Sequence, residues 1–507
     1  MKTSNLYSSL FSLGLSISLV LFSSSCKGQK ETEINKYGKF LSEIHQRGQF
    51  NGNVLVVENG KIAFQGAYGL SNTDPADSLN LHSVFRLGSV SKQFTAMAIM
   101  ILKEEGKLKY DQDLSDFIPE LPYKNINIRH LLNHTSGLPD YTRLMAENWK
   151  PELEEDDPER FISGNEDIIK MLAEKKPEIY FRPGEQWQYS NTGYVLLASV
   201  VSRASGLPFE QFLKEYIFKP IAMNSTVVYD YVPGKDPSMP LRVYGYRKEL
   251  SGELVPNDCH FLNPAQGDGG IYSTLGDMYK WDQALYTDKL VPQSTLQEAF
   301  TPGKLNDGSN TNYGFGWFIP NTASGKKVVD HTGGWVGFVT YIYRETEENN
   351  CIVILTNNSS SYFGGAMFPL RNILDGKPYT IPKLQISEAI GQSVLNEGID
   401  KAKEEYRRLK SEFPDDYIFR ENQLDRLGDQ LLQMNKPEEA VEILRLNVEE
   451  YPGSARALNG YGDGLLSVGD TLTALQKYKK ALTIDSSLTG LKEKINTIEE
   501  HFAGKEK

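Results

Sequence analysis

Arg86-Leu-Gly-Ser-Val-Ser-Lys92 is the stretch on which the reading of this chain turns. Ser89 and Lys92 stand three residues apart, so on a helix they share one face. A helical pattern follows: Phe94, Met97, Ala98, Ile101 and Leu102 recur at helical spacing, and Gly106 is a suitable stop. Apolar residues cover most faces of that helix, which predicts burial at the centre of a domain. At the helix start the Ser89 N–H lacks an intrahelical partner and is free to meet an oxyanion. A serine hydroxyl is a poor nucleophile until a base takes its proton. A lysine serves as that base only when neutral. From a reference pKa near 10.4 this costs roughly 4.6 kcal/mol at pH 7, so burial or a neighbouring cation must supply it. Ser-x-x-Lys also occurs at Ser24–Lys27 and Ser324–Lys327, so context rather than the bare pattern singles out Ser89.

Two further motifs follow in order. Tyr189-Ser-Asn191 lies inside Arg182-Pro-Gly-Glu-Gln-Trp-Gln-Tyr-Ser-Asn-Thr-Gly-Tyr194, just before a largely apolar helix pattern from Thr192 to Ser205. The Tyr189 phenol can pass protons between Ser89, a leaving group and a deacylating water. A phenol with pKa near 10 costs about 4 kcal/mol to ionise at pH 7, so tyrosine and lysine need similar tuning and either serves as the base. Asn191 offers an amide that can hold Lys92 or a substrate carbonyl. His331-Thr-Gly-Gly334 comes just after a strand pattern, Val328-Val-Asp330. Its glycines would let a substrate lie close against a strand edge, although such a run alone also reads as a turn.

The strand patterns sit at both ends of this region. Val54-Leu-Val-Val57 and Ile62-Ala-Phe64 flank Asn59-Gly60, a strong two-residue hairpin signal. A helix-like stretch, Phe40 to Arg47, precedes them. Val328–Asp330, Phe338–Tyr343 and Cys351–Thr356 read as three consecutive strands. Together they predict an α/β (α+β) domain with one mostly antiparallel sheet flanked by helices and a mainly helical part beside it.

Taken together and in order, Ser-x-x-Lys, Tyr-x-Asn and His-Thr-Gly resemble the serine β-lactamase and penicillin-binding-protein superfamily. The likeness is greatest to the class C β-lactamase-related branch, which holds D-alanyl-D-alanine peptidases, D-aminopeptidases and esterases. It extends over most of residues 37–375. Leu131-Leu-Asn-His-Thr-Ser-Gly-Leu138, Gly267-Asp-Gly-Gly-Ile-Tyr-Ser-Thr274, Tyr313-Gly-Phe-Gly-Trp317 and the continuation of the third motif to Phe338 add to it. The resemblance implies a β-lactamase/transpeptidase-like fold with Ser89 as the acylated nucleophile. It implies that Lys92 and Tyr189 share the proton work and that Asn191 assists in positioning. The backbone N–H groups of Ser89 and Gly334 would form an oxyanion hole, with His331, Thr332 and Gly333 against the substrate. His134 falls in a matching stretch that reads as a structural loop and is left outside the site. No cofactor is implied.

One position departs from the β-lactamase pattern. The third motif there begins with Lys, and here it begins with His331. An unperturbed imidazole, with pKa about 6.5, is only about one quarter charged at pH 7. This weakens the case for carboxylate recognition and for β-lactam hydrolysis, and it predicts tighter binding of a carboxylate substrate at pH 6 than at pH 8. The expected function is an exported serine hydrolase that cleaves an ester or amide, with D-amino-acid peptides as candidate substrates. The alternatives are a true β-lactamase, or a catalytically silent ligand-binding or sensing protein.

The remainder of the chain frames this domain. With 507 residues, two or three domains are expected, and 39% apolar and 24% charged residues are ordinary for packed cores. A net charge of −12 argues against a nucleic-acid-binding surface. No Cys/His cluster has zinc spacing, so no metal site is expected. Lys2, the apolar run Leu13–Phe22, Ser23-Ser-Ser25 and Cys26 read as a removable secretory signal over 1–25. Cys26 after small residues resembles a bacterial lipoprotein site, which would make 26–36 a lipidated terminus and linker facing the periplasm or cell exterior. Ser23 stands where an aliphatic residue is usual, and ordinary signal cleavage is the alternative. After a linker at 376–394, residues 395–507 read as an all-α helical-repeat domain. Leu424/Leu458, Gly428/Gly462, Leu431/Leu465 and Ala440/Ala474 recur at a spacing of 34 and resemble tetratricopeptide repeats. Such repeats suggest either a protein partner or a packing extension of the hydrolase.

Overall fold

In the computed structural model, residues 35–73, 76–150, 163–229, 239–322, 325–358 and 363–505 are described. The signal segment and Cys26 lie outside them. The predicted hairpin forms: β1 (Gly52–Glu58) and β2 (Lys61–Tyr68) pair antiparallel up to Glu58↔Lys61. Asn59 and Gly60 take φ of 50° and 74°, the left-handed backbone that a two-residue turn of this hand requires.

The three late strands are β3 (Val328–Trp335), β4 (Phe338–Glu345) and β5 (Asn350–Thr356). They join the hairpin in one antiparallel sheet of order β3-β4-β5-β1-β2. The β1–β5 ladder, with Val54↔Ile354 and Val56↔Ile352, ties the early and late parts of the chain together. Helices cover both faces, so the strands read as continuous apolar runs rather than alternating ones. Val54, Val56, Tyr341 and Ile354 face α1 (Lys36–Gln46) and a helix at Phe363–Leu374. Leu55, Val57, Ile342 and Val353 face the larger core.

That core is built around α2 (Lys92–Glu104), in which Lys92 to Leu102 are all buried. The helical run does not begin as an α-helix at Ser89: Gly88–Ser91 form a 3₁₀ turn first. Against α2 packs α3 (Asn191–Ser205). Beneath the sheet, Arg344 and Asp282, both fully buried, form an ion pair of 2.5 Å that locks β4 to the helix Leu275–Ala284.

The C-terminal part is helical. Ile386–Glu397 and Ile399–Glu412 pair first, then Glu421–Gln433 with Pro437–Glu450 and Ala455–Ser467 with Thr471–Ile484, before Thr489–Lys505. The first of these helices starts inside the stretch read as a linker. Repeat-related positions play the same part: Leu424, Leu458, Ala440 and Ala474 are all fully buried. Asn447, where the second unit has Ala481, is also fully buried, and neither of its amide atoms finds a partner. The array is anchored on the hydrolase part through the hairpin Tyr246–Lys248/Leu254–Pro256. Leu250 at its turn packs with Ile386, Ile390 and Leu427, and Lys248 pairs with Glu388 at 3.1 Å.

Candidate active site

The nucleophile turn is fixed from two sides. Phe85-Arg86 forms a short strand paired with Ile271–Ser273, and Leu87 N–H donates to the Ile271 carbonyl at 2.8 Å. Gly88 then takes φ +54°, and a Cβ there would lie 2.7 Å from the Gly334 nitrogen of β3. Only glycine permits both that backbone and that approach. The result turns Ser89 out of the core towards the edge strand, and the 3₁₀ geometry leaves it half-buried while Lys92 is fully buried.

Lys92 Nζ sits in a cradle of three oxygens. It lies 3.0 Å from Ser89 Oγ, 2.8 Å from Asn191 Oδ1 and 2.9 Å from the Asp268 carbonyl. The rings of Tyr189 and Tyr194 flank it, with centroids at 4.9 and 5.6 Å. A neutral amine has two N–H bonds and one lone pair. With Asn191 and Asp268 accepting the N–H groups, the lone pair is left for the Ser89 O–H. The same three oxygens accept all three N–H groups of the ammonium after proton transfer. Asn191 reaches this cradle because it is the first residue of α3, whose N-cap is Ser190 accepting from Gly193 N–H.

Tyr189 precedes that cap. Its hydroxyl is buried and without a hydrogen-bond partner, so no bond to Ser89 or Lys92 is made. Its ring is set by His134, which lies 4.3 Å away between centroids and whose Nδ1 accepts the Ser190 N–H at 3.1 Å. That bond leaves the His134 proton on Nε2, buried and unpartnered. Burial pushes the His134 pKa well below its usual value, and the nearby Lys92 adds to the effect. His134 therefore belongs to the surroundings of the motif from which the sequence reading excluded it. His134 lies in Leu131-Leu-Asn-His-Thr-Ser-Gly-Leu138, where nothing in the spacing tells a loop histidine from one packed under Tyr189.

His331 departs from expectation in two ways. His331-Thr-Gly-Gly334 is part of β3 itself, paired His331↔Ile342 to Gly334↔Val339, so the strand runs on through the motif rather than ending at Asp330. The ring is also buried, and burial takes its pKa down to about 3, helped by the Lys92 cation. Both nitrogens are engaged: Nδ1–H donates to the Thr332 carbonyl at 2.6 Å, which leaves Nε2 to accept from Tyr313 Oη at 2.9 Å. The partial charge expected from an unperturbed imidazole is absent, and with it the expected gain in carboxylate binding at pH 6. Thr332 and Gly334 are exposed along the strand edge, whereas Gly333 is buried. A Cβ on Gly333 would lie 2.1 Å from the Leu87 carbonyl, so the room it makes is filled by the nucleophile turn. Gly334 has nothing within 4 Å of its Cβ direction and leaves the space open.

Ser89, Asn191, Gly334 and Trp335 line a cleft of about 300 Å³ counted to its open mouth, together with Arg86, Tyr141, Leu262 and Asp268. Asp268 is unforeseen by the motif reading except as part of Gly267-Asp-Gly-Gly270. Burial raises its pKa, with Lys92 opposing, and Tyr141 Oη donates to Oδ2 at 3.0 Å. Among the described residues no cluster of histidine, cysteine and acidic side chains could hold a metal ion, and no helix is long and apolar enough to cross a membrane.

A half-buried serine bonded to a buried lysine, an asparagine at a helix start and a glycine edge strand are arranged beside an antiparallel sheet. The beta-lactamase family matches residues 39–369, which is most of the chain. This chain belongs to the beta-lactamase family. It is a serine hydrolase by that membership. Penicillin-binding protein 4* of Bacillus subtilis (strain 168) is 36% identical over 367 residues, covering 70% of this chain and 79% of that protein. The D-alanyl-D-alanine-carboxypeptidase/endopeptidase AmpH of Escherichia coli (strain K12) is 28% identical over 370 residues, covering 68% of this chain and 90% of that protein. Among solved structures, the octameric penicillin-binding protein homologue from Pyrococcus abyssi superposes with a TM-score of 0.58 at 25% identity, covering 68% of this chain and 78% of that one.

Proposed function

We propose that this chain is an exported acyl-transfer hydrolase that cleaves an ester or amide bond of a D-amino-acid peptide through an acyl-enzyme on Ser89. The observation that carries the reading is the cradle of Lys92, whose Nζ is shared between Ser89 Oγ and two fixed acceptors. In acylation, neutral Lys92 takes the Ser89 proton as Oγ attacks the carbonyl carbon. The resulting ammonium keeps its three hydrogen bonds, so no reorganisation is needed as charge develops. The oxyanion receives the backbone N–H groups of Ser89 and Gly334. Tyr189, with a hydroxyl that has no other partner, gives its own proton to the leaving group and takes one from the water that cleaves the acyl-enzyme, while the Lys92 ammonium returns its proton to Ser89 Oγ as the acyl group departs. His331, neutral and bonded to Tyr313, has no proton to exchange near pH 7. D-amino-acid peptides are favoured because a relative carries a D-alanyl-D-alanine carboxypeptidase name.

Labelling with a fluorophosphonate and a fluorescent penicillin, beside Ser89→Ala, tests the reading. Wild type should gain an adduct on Ser89 and hydrolyse nitrophenyl esters or D-alanyl-D-alanine peptides; absence of any Ser89-dependent label or turnover refutes it. Two accompanying readings come from sequence. Cys26 is lipidated, holding the chain at a membrane on the exported side, and an unmodified mature terminus in an intact-mass measurement would exclude this. The C-terminal array is of tetratricopeptide type and offers a docking surface to a protein partner, a reading carried by the 34-residue period. Crosslinking in cells with and without residues 421–507 tests it.

A further inference from the structure

The hairpin that carries Leu250 has no core of its own. Its strands, Tyr246–Lys248 and Leu254–Pro256, are three residues each, and of these only Tyr246 is buried. A two-stranded hairpin this short is not stable alone in water, so its position is set by what grips its two ends. The C-terminal helices grip the tip. Among the described residues, Leu250 is the one buried member of their apolar cluster that precedes residue 386, and it is 6% exposed. It seats on Gly391 of the helix Ile386–Glu397, where a Cβ would lie 2.2 Å from Leu250 Cδ1. At Gly252, also in the tip, a Cβ would lie 2.6 Å from Gln392 Nε2 of the same helix.

The turn between β3 and β4 grips the base. Gly337 N–H donates to the Asn257 carbonyl at 2.8 Å, and a Cβ on Gly337 would lie 2.3 Å from the Tyr246 nitrogen. A Cβ on Gly245 would in turn lie 3.1 Å from Gly337 Cα. Backbone rests on backbone here, and close packing of this kind transmits a shift rather than absorbing it. Gly337 follows three residues after Gly334, whose N–H meets the oxyanion in the acyl-enzyme reading. The segment that leaves the hairpin reaches the same place. Asn263 donates from Nδ2 to the Asp258 carbonyl at 2.9 Å and accepts Trp335 Nε1–H at Oδ1 at 2.6 Å. Trp335, Leu262 and Gly334 line the cleft that holds Ser89.

We propose that Leu250 is a positioning residue for catalysis: through it the C-terminal helices hold the hairpin, and the hairpin holds Gly334 and Trp335 where the oxyanion forms. The helical array then serves the hydrolase site directly, whether or not a partner docks on it. This rests on the acyl-enzyme reading above and adds how its oxyanion edge is held in place.

The test uses the full chain and a nitrophenyl ester at pH 7.5, at a temperature where melting curves show each compared variant folded. Leu250→Ala empties the seat, and Gly391→Val fills it from the helix side. Each should lower kcat by roughly tenfold or more with KM little changed, because the oxyanion contact belongs to the transition state and a misplacement of about 1 Å can cost about a hundredfold. Leu250→Met keeps the volume and should stay within about twofold of wild type. The midpoints of the pH–rate profile should match wild type throughout, since Lys92 keeps its three acceptors. A leucine that only adds stability would lower the melting temperature and leave kcat of the folded protein unchanged. That result in Leu250→Ala overturns the proposal, as does a fall in kcat that comes with shifted pH midpoints. Should Leu250→Ala not fold, Gly391→Val decides on the same two criteria. Absence of fluorophosphonate labelling in wild type would instead refute the acyl-enzyme reading, so the two failures are distinct.

Discussion

His331 should make the folded chain acid-sensitive without making substrate binding pH-dependent near neutrality. In the folded state the imidazole gains a proton only near pH 3, because the ring is buried beside the Lys92 cation. In the unfolded chain it does so near pH 6.5. Between those values the unfolded state binds more protons, so stability falls as pH is lowered. The contribution is fully present above about pH 6.5 and is lost progressively down to about pH 3. At about 1.36 kcal/mol per unit, the loss from this one residue is about 2 kcal/mol at pH 5. His134 acts with the same sign, since its pKa is also lowered, so comparison with a variant is needed to isolate His331. Gln at 331 can accept the Tyr313 hydroxyl without titrating. Urea denaturation at pH 7.5 and 5.0 should show wild type losing about 2 kcal/mol more than His331→Gln. In parallel, KM for a carboxylate substrate should not change between pH 6 and 8 through His331. Equal losses in the two proteins, or a His331 resonance titrating with a midpoint between 6 and 7, would refute the burial argument.

Three further outcomes follow from the same geometry. Asn191→Ala removes one acceptor from the buried Lys92 Nζ and should lower kcat/KM by roughly ten- to hundredfold, with the rate of fluorophosphonate labelling falling in step. His134→Ala should lower kcat by about the same range while moving KM less, since it frees Tyr189 and strands the Ser190 N–H. His134→Asn should recover part of the loss, because Asn tolerates the φ of +59° at this site and can accept that N–H; no recovery would reduce His134 to a filler of volume. Asp282→Ala leaves Arg344 as an uncompensated buried charge and should destabilise the chain by about 3–5 kcal/mol, read as a fall in urea midpoint at pH 7.5.

Much of the site was legible because acyl transfer needs a few residue types at short spacings. Ser89 and Lys92 fall on one helical turn, and Tyr189 and Asn191 flank one cap, so local geometry alone brings each pair together. The antiparallel sheet was legible from Asn59-Gly60 and from apolar runs, which report burial on both faces. The limits were physical as well. The 3₁₀ entry at Gly88–Ser91 follows from the approach of Gly88 to Gly334, a contact between segments far apart in sequence. The strand pattern stopped at Asp330, before the glycines, yet pairing with β4 carries β3 through His331-Thr-Gly-Gly334 to Trp335↔Phe338. His134 and Asp268 gave no local signal, since one acts through ring packing and the other through its backbone carbonyl.

What the sequence determined by itself is therefore the inventory of chemistry: a nucleophile, an amine, a phenol and an amide in order along the chain, and the strands and helices able to carry them. The tertiary structure decided their electrical state. Whether His331 bears charge and which oxygens cradle Lys92 depend on what is packed around each group, because desolvation and neighbouring charges set the cost of ionisation. The fold placed two imidazoles in dry surroundings.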